Sequence, residues 1–99
     1  MKRGTTPTHK FILPFSVDVI DEVEVTYCQK GEEVLRKLAE ECSMEGNSVE
    51  LKLSQDETFK FDEGVNVEIQ MRVLTNGGDC LASDIFAVGC KRCLSCEVL

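Results

Sequence analysis

Apolar and polar residues alternate with a period of two along much of the chain, the pattern of strands that bury one face. Phe11, Leu13, Phe15, Val17 and Val19 alternate with Pro14, Ser16 and Asp18, which predicts a strand from Phe11 to Val19 with Pro14 marking an edge or a bulge. Val23, Val25 and Tyr27 alternate with Glu22, Glu24 and Thr26 as a second strand, which runs to a turn at Gln29-Lys30-Gly31-Glu32. After the turn Glu45-Gly46-Asn47, Val49, Leu51 and Leu53 alternate with Glu50 and Lys52 as a third. The longest alternation sets Val65, Val67, Ile69, Met71 and Val73 against Asn66, Glu68, Gln70 and Arg72, a strand from Val65 to Leu74. Asn76-Gly77, within Thr75-Asn76-Gly77-Gly78-Asp79, is a strong hairpin signal. Cys80 to Val88 should therefore return antiparallel, with a bulge or a switch between sheets near Ser83-Asp84.

Residues 33–42 support either a helix or a strand. Val34, Leu35, Leu38, Ala39 and Cys42 fall at i, i+1, i+4, i+5 and i+8, and Glu32/Arg36 and Glu33/Lys37 stand at the helical i,i+4 spacing. Yet Val34, Arg36 and Leu38 also follow the Lys30-Gly31 turn as the return arm of a hairpin, where pairing routinely overrides propensity. Ser54-Gln55-Asp56-Glu57 carries a capping box, so one helical turn is predicted near 54–58, pinned to the core by Phe59 and Phe61 before Asp62-Glu63-Gly64 reverses the chain. Roughly six or seven short strands, with turns about every 8–12 residues, predict an all-β fold. Its expected form is an antiparallel β-sandwich, immunoglobulin-like or a small barrel, with the one short helical turn.

The 99 residues suffice for one domain, 1–99, with 1–9 an extended or flexible lead and 91–99 an extended tail. At 42% hydrophobic and 29% charged the chain is not a disordered tail, and no apolar run approaches the roughly 20 residues that cross a bilayer. Eleven basic against eighteen acidic residues give a net charge of −7, which opposes a phosphate backbone. Neither nucleic acid nor an anionic membrane is expected as a partner. The basic, polar start from Met1 to Lys10 is followed by no long apolar stretch and no small-residue cleavage site, so the expectation is a protein made and kept in the cytosol, or assembled there.

In that compartment six cysteines are read as free thiols or metal ligands before disulfides. Cys28 and Cys42 stand alone, while Cys80, Cys90, Cys93 and Cys96 crowd the C-terminal fifth. Cys90-Lys91-Arg92-Cys93-Leu94-Ser95-Cys96 begins like a ferredoxin run but lacks the fourth cysteine and proline. Zinc could take these three thiolates with Cys80 or His9, although a strong zinc signature has two separated ligand pairs. A redox C-x-x-C normally opens a helix, and no βαβ context surrounds this one. In an extended chain, cysteines three apart stand about 10 Å apart at Cα, given a rise of ~3.3 Å per residue, too far for a disulfide. The plainer reading is small apolar side chains in a C-terminal strand or tail.

No other residue set carries chemistry. Asp18, Asp21, Glu22 and Glu24 lack the glycine pivot and spacing of a calcium loop and read as a solvated acidic turn. His9 is the only histidine and has no evident partner as a general base. Ser16, Ser48, Ser54, Ser83 and Ser95 sit in no nucleophile elbow, and no glycine-rich loop precedes a helix. No catalytic residue and no cofactor is expected.

Taken in order, Lys2-Arg3-Gly4-Thr5-Thr6-Pro7-Thr8-His9, Leu13-Pro14-Phe15, Val25-Thr26-Tyr27, Leu53-Ser54-Gln55-Asp56-Glu57-Thr58, and Val67-Glu68-Ile69-Gln70-Met71-Arg72-Val73-Leu74 with Leu81-Ala82-Ser83-Asp84-Ile85 resemble a family of small phage and prophage proteins of Firmicutes. The resemblance spans nearly the whole chain and brings no activity with it. It implies that Glu33 to Leu38 is the second arm of a hairpin, and the cysteine cluster lies outside its pattern. The strand pattern is also similar to sandwich domains of phage baseplate proteins, which is analogy of fold alone. The function implied is a non-enzymatic structural or protein-interaction module of a phage or prophage, a head, tail or baseplate accessory. Its partners would be other phage proteins or itself, in the host bacterial cytoplasm or the virion. The alternative is a zinc-binding or redox protein that uses Cys80, Cys90, Cys93 and Cys96. A third reading, an acidic mimic of nucleic acid, needs carboxylates at regular spacing on one face, whereas here they scatter over turns and several strands.

Overall fold

The period-two segments fold as strands whose apolar faces meet. A computed structural model describes all residues from Met1 to Leu99. Its strands are β1 (Thr8–Ile12), β2 (Ile20–Gln29), β3 (Glu32–Leu38), β4 (Ser43–Glu45), β5 (Ser48–Lys52), β6 (Val67–Thr75), β7 (Cys80–Ala82) and β8 (Phe86–Val88), with a helical turn α1 (Gln55–Thr58) before β6. They make two antiparallel sheets, one in the order β1-β5-β4 and one in the order β3-β2-β6, with β7 and β8 both on the outer side of β6. The expectation of an antiparallel two-sheet fold with one short helix holds. The small-barrel form does not, because no ladder joins the sheets and β1, β4, β3 and the β7–β8 edge each pair on one side only.

The core lies between the sheets. Phe11, Leu13, Val49, Leu51 and Leu53 from the β1-β5 side meet Val23, Val25, Tyr27, Val67, Ile69, Met71 and Val73 from β2 and β6 in one buried cluster, which Phe61 and Cys90 complete. Val25, Val49, Leu53, Phe61 and Val67 are enclosed entirely, each contributing about 1.5–3 kcal/mol by leaving water. Phe61 stands edge-on to Tyr27 with ring centroids 6.0 Å apart, which is how the segment after α1 is anchored. The capping box forms as read: the Ser54 hydroxyl accepts from the Glu57 amide at 3.2 Å and the Glu57 carboxylate accepts from the Ser54 amide at 2.8 Å.

Several boundaries differ from the pattern. The predicted strand from Phe11 to Val19 ends at Ile12, just before Pro14. Beyond it the Leu13 and Val17 amides donate to Asn47 and Gly46 in the β4–β5 turn, and Val17–Val19 is a 3-10 turn capped by Ser16. The chain needs this break to leave one sheet and enter the other at Ile20. Residues 33–42 are strand through Leu38 and then a 3-10 turn at Ala39–Glu41. Lys30 and Gly31 take φ of 53° and 77°, the two left-handed residues of a tight hairpin turn, so pairing with β2 overrides the helical spacing. The strand predicted from Val65 starts at Val67, because the Val65 carbonyl accepts from the Gln29 side chain. The return from the Asn76-Gly77 loop stays in one sheet, so the expected sheet switch is absent. The pairing sum shifts by one residue between β7 and β8, which makes Ser83–Ile85 a bulge.

The lead segment is docked along the body. The Arg3 amide donates to Lys91 at 3.0 Å, the Lys91 amide to Met1 at 2.8 Å, and the Leu53 amide to Pro7 at 3.0 Å. Gly4 has φ of 76°, and a Cβ there would stand 2.6 Å from the Phe59 ring, so only glycine fits. At the other end, Gln55 holds the Leu99 backbone through both its amide atoms. No helix is long and apolar enough to cross a membrane.

Candidate interaction groove

The two sheets differ in width. Because β7 and β8 lie end to end on one side of β6, that sheet is four strands across, and the facing sheet is three. Past β1 the wider sheet therefore has an uncovered strip, and the result is a groove of about 360 Å³. One wall is the stretch Phe11 to Phe15 and the other is Met71, Val73, Leu81, Ala82, Ser83 and Phe86, with no charged residue among them. The Phe11 and Phe86 rings meet across it at 6.2 Å. Phe86 remains 50% exposed, Leu81 45%, Ile12 64% and neighbouring Ile85 58%, a concentration of open apolar surface on a chain this small. The sole polar side chain in the walls, Ser83, is engaged by its own bulge: its hydroxyl accepts from the Met71 amide at 3.0 Å and donates to the Asp84 carbonyl at 2.9 Å.

The opposite edge of the wide sheet is closed by charge. Tyr27 pairs with Leu35 and Val25 with Lys37 across β2 and β3, so Lys37 occupies an inward position on the edge strand. Its side chain, only 10% exposed, is clamped by the Glu41 carboxylate at 3.1 Å and by that of Glu57. The Glu57 carboxyl is held below its usual range: burial works against ionisation, but hydrogen bonds from Lys37 and Ser54 outweigh it. Lys37 is held above its own range for the matching reason, its bonds to Glu57 and Glu41 outweighing burial. Beside them the fully buried Tyr27 shares a 2.7 Å hydrogen bond with His9 Nδ1. Burial pushes the Tyr27 hydroxyl up and the His9 imidazole down, so both stay neutral at physiological pH. These groups bond one another, on the side of the wide sheet away from the groove.

The thiols predicted as candidate ligands are dispersed. Cys90 is buried in the core, Cys93 is half-buried, and Cys80 and Cys96 are exposed, with all six thiols free. Three or more metal-ligating side chains come together nowhere in the molecule, and the Nδ1 of His9 is taken by Tyr27. Burial pushes the Cys90 thiol up, away from the thiolate that a metal or a redox partner needs. Of the acidic set, Glu24 bridges Arg36 at 3.3 Å and Arg72 at 3.2 Å across the outer face of the wide sheet. Asp21 and Glu22 flank a shallow concavity on that face with Glu40 and Cys80.

Sequence reasoning singled out neither Lys37 nor the groove. Lys37 could be read as inward only once its register against Val25 was known. The groove did leave a trace, since Ile85 and Phe86 are adjacent apolar residues of which a strand can bury only one. No protein-family model, curated protein or solved structure matches the chain.

Proposed function

We propose that the chain is a non-enzymatic structural or protein-interaction module that takes an extended segment of another protein across the groove between β1 and the β7–β8 edge. The observation that carries this reading is an uncharged apolar groove of about 360 Å³ bordered by two strand edges that have no partner. Unpaired edges offer rows of backbone donors and acceptors, and a groove beside them offers pockets for side chains, the combination used when a peptide adds to a sheet. The non-enzymatic part is supported by the mutual engagement of the buried ionisable groups away from the groove, Lys37 with Glu57 and Tyr27 with His9.

The ordered segments that resemble phage and prophage proteins supply a setting. The partner would be another phage protein, met in the host bacterial cytoplasm or in the virion. Leu81→Asp puts a charge into the groove at a half-exposed site, so the fold should survive while binding fails. In cells carrying the phage, the unmodified chain is expected to retain a phage protein or to appear in particles, and Leu81→Asp to lose it. Identical partner sets for both proteins, or no phage partner and no particle association for either, would overturn the proposal.

A further inference from the structure

We infer that, while no other protein occupies it, the groove takes the segment Leu94 to Val98 of a second copy of this chain, laid antiparallel to the free edge of β1. This rests on the groove being an interface and names a second occupant for it. Seven of the ten large apolar residues that stay exposed fall in two places: Ile12, Leu81, Ile85 and Phe86 around the groove, and Leu94, Val98 and Leu99 in the tail. Leu94 is 91% exposed, no tail residue lines the groove, and the end of the tail is held to α1 by two hydrogen bonds from the Gln55 side chain. The chain thus carries two uncovered apolar surfaces that can cover each other.

The residue pattern of the tail matches the strip. Leu94, Cys96 and Val98 share one side of an extended chain and Ser95 and Glu97 the other. Turned inward, the first three bring no charge to walls that hold none. β1 pairs with β5 without a shift, so its free side is regular over five residues, with Thr8, Lys10 and Ile12 as its exposed outward row. Lys10 is the sole charge in that row, and its 3.6 Å contact with Glu50 is open to solvent. With Cys96 opposite Phe11, an antiparallel strand sets Leu94 opposite Leu13 and Glu97, the one charge in Leu94 to Val98, opposite Lys10.

Charge also fixes the direction. Just past Leu13 the segments 16–22, 38–46 and 74–80 meet at one end of the molecule, where the Val17 amide donates to Gly46 and the Asn76 amide to Val19. They hold seven acidic residues and no lysine or arginine. An antiparallel tail enters from that end, so its Lys91 and Arg92, neither of them in an ion pair, arrive against those carboxylates. The like net charges of two copies are screened beyond about 8 Å at physiological salt, which leaves these local contacts to decide. The tail of the same copy cannot take this register. Lys91 is bridged to Lys2 beyond the Val88–Val67 pair, and Val67 lies about 20 Å along β6 from Val73 in the groove wall, whereas the three residues from Lys91 to Leu94 reach about 10 Å.

The test is sedimentation equilibrium of the full chain at about 0.15 M salt, with a thiol reductant so that no disulfide mimics association. The unmodified chain should associate with a Kd of about 1 mM or tighter, and Leu94→Asp and Leu81→Asp should each weaken this about tenfold. Mixed one to one, these two variants should recover association, because one keeps the groove and the other keeps the tail. Glu97→Lys should weaken association about threefold, and Lys10→Glu in the same chain should restore it. A chain that stays monomeric to about 1 mM, an association indifferent to Leu94→Asp, a mixture no better than its components, or an unrestored charge swap overturns the inference. If Leu81→Asp fails to fold, NMR titration of a synthetic peptide of residues 91–99 into Leu94→Asp takes the place of the mixture. Shifts confined to residues 8–15 and 80–88 then support the inference, and shifts elsewhere or none overturn it. A monomeric chain that still loses a phage partner on Leu81→Asp sinks the inference and leaves the proposed function, and tail-dependent association with no phage partner or particle does the reverse.

Discussion

The wide sheet ends in two edges that manage exposure in opposite ways. At β3, an inward lysine is clamped by carboxylates from the 3-10 turn Ala39–Glu41 and from α1, so this unpaired edge carries an inward charge that discourages strand addition. At β7–β8, the strands are three residues each and separated by a bulge, but Leu81 and Phe86 remain half open to water. The buried polar groups of the fold are concentrated at the β3 edge and absent from the groove. Lys37, Glu57, Tyr27 and His9 bind segments of the fold to one another, and the open apolar surface lies at the edge that lacks them.

Lys37→Ala should have the largest effect on the closed edge. Removing the lysine strands the half-buried Glu57 carboxylate, and the protein should lose about 2–3 kcal/mol in urea unfolding, below the full cost of opening a completely buried pair because Glu57 keeps some solvent. A loss smaller than about 1 kcal/mol would make the clamp an ordinary surface bridge. Tyr27→Phe should come next at about 1–2 kcal/mol, since it leaves His9 Nδ1 without its partner. A double-mutant cycle with His9→Gln should then be non-additive, and strict additivity would deny the bond a role in stability.

On the open side, Phe86→Ser should cost no more than about 1 kcal/mol, because half of that ring is already in water. A loss comparable to that of Lys37→Ala would show that the groove is core rather than surface. The smallest effect is with pH. His9 has its imidazole pKa lowered below 6.5 in the folded chain, so below that pH the unfolded chain takes up a proton that the folded one refuses. Stability should decline as pH falls from about 6.5 towards the folded value, and His9→Gln should flatten that decline. The contribution of Glu57, whose pKa is lowered from 4.5, is lost only at more acid pH, so it should persist in the His9 variant.

Most of the fold was legible because strands that bury one face must alternate. Val23, Val25 and Tyr27, and Val67, Ile69, Met71 and Val73, face the core as their spacing requires. The Ser54–Glu57 capping box was equally legible, since its partners lie within one turn. The break after Ile12 was not, although Pro14 was there to see, because the ladder runs out where its partner strand reverses at Gly46-Asn47, and Asn47 lies 34 residues from Leu13. For 33–42 the local spacing favoured a helix, and only the pairing of Leu35 and Lys37 with Tyr27 and Val25 reveals why a strand wins.

The candidate site was less legible still. The spacing of the C-terminal cysteines is conspicuous in one dimension, yet spacing of three residues brings side chains together only on a helix or a tight knuckle, and Cys90, Cys93 and Cys96 lie on no helix and in no metal-ligating cluster. Alternation and turn chemistry settle strand content and the hairpins, because both act between residues close in the chain. The width of each sheet, the inward register of Lys37 and the strip left bare beside β1 follow from pairings such as Val25 with Lys37, 12 residues apart, and Ile20 with Thr75, 55 apart, and tertiary contacts alone select among those.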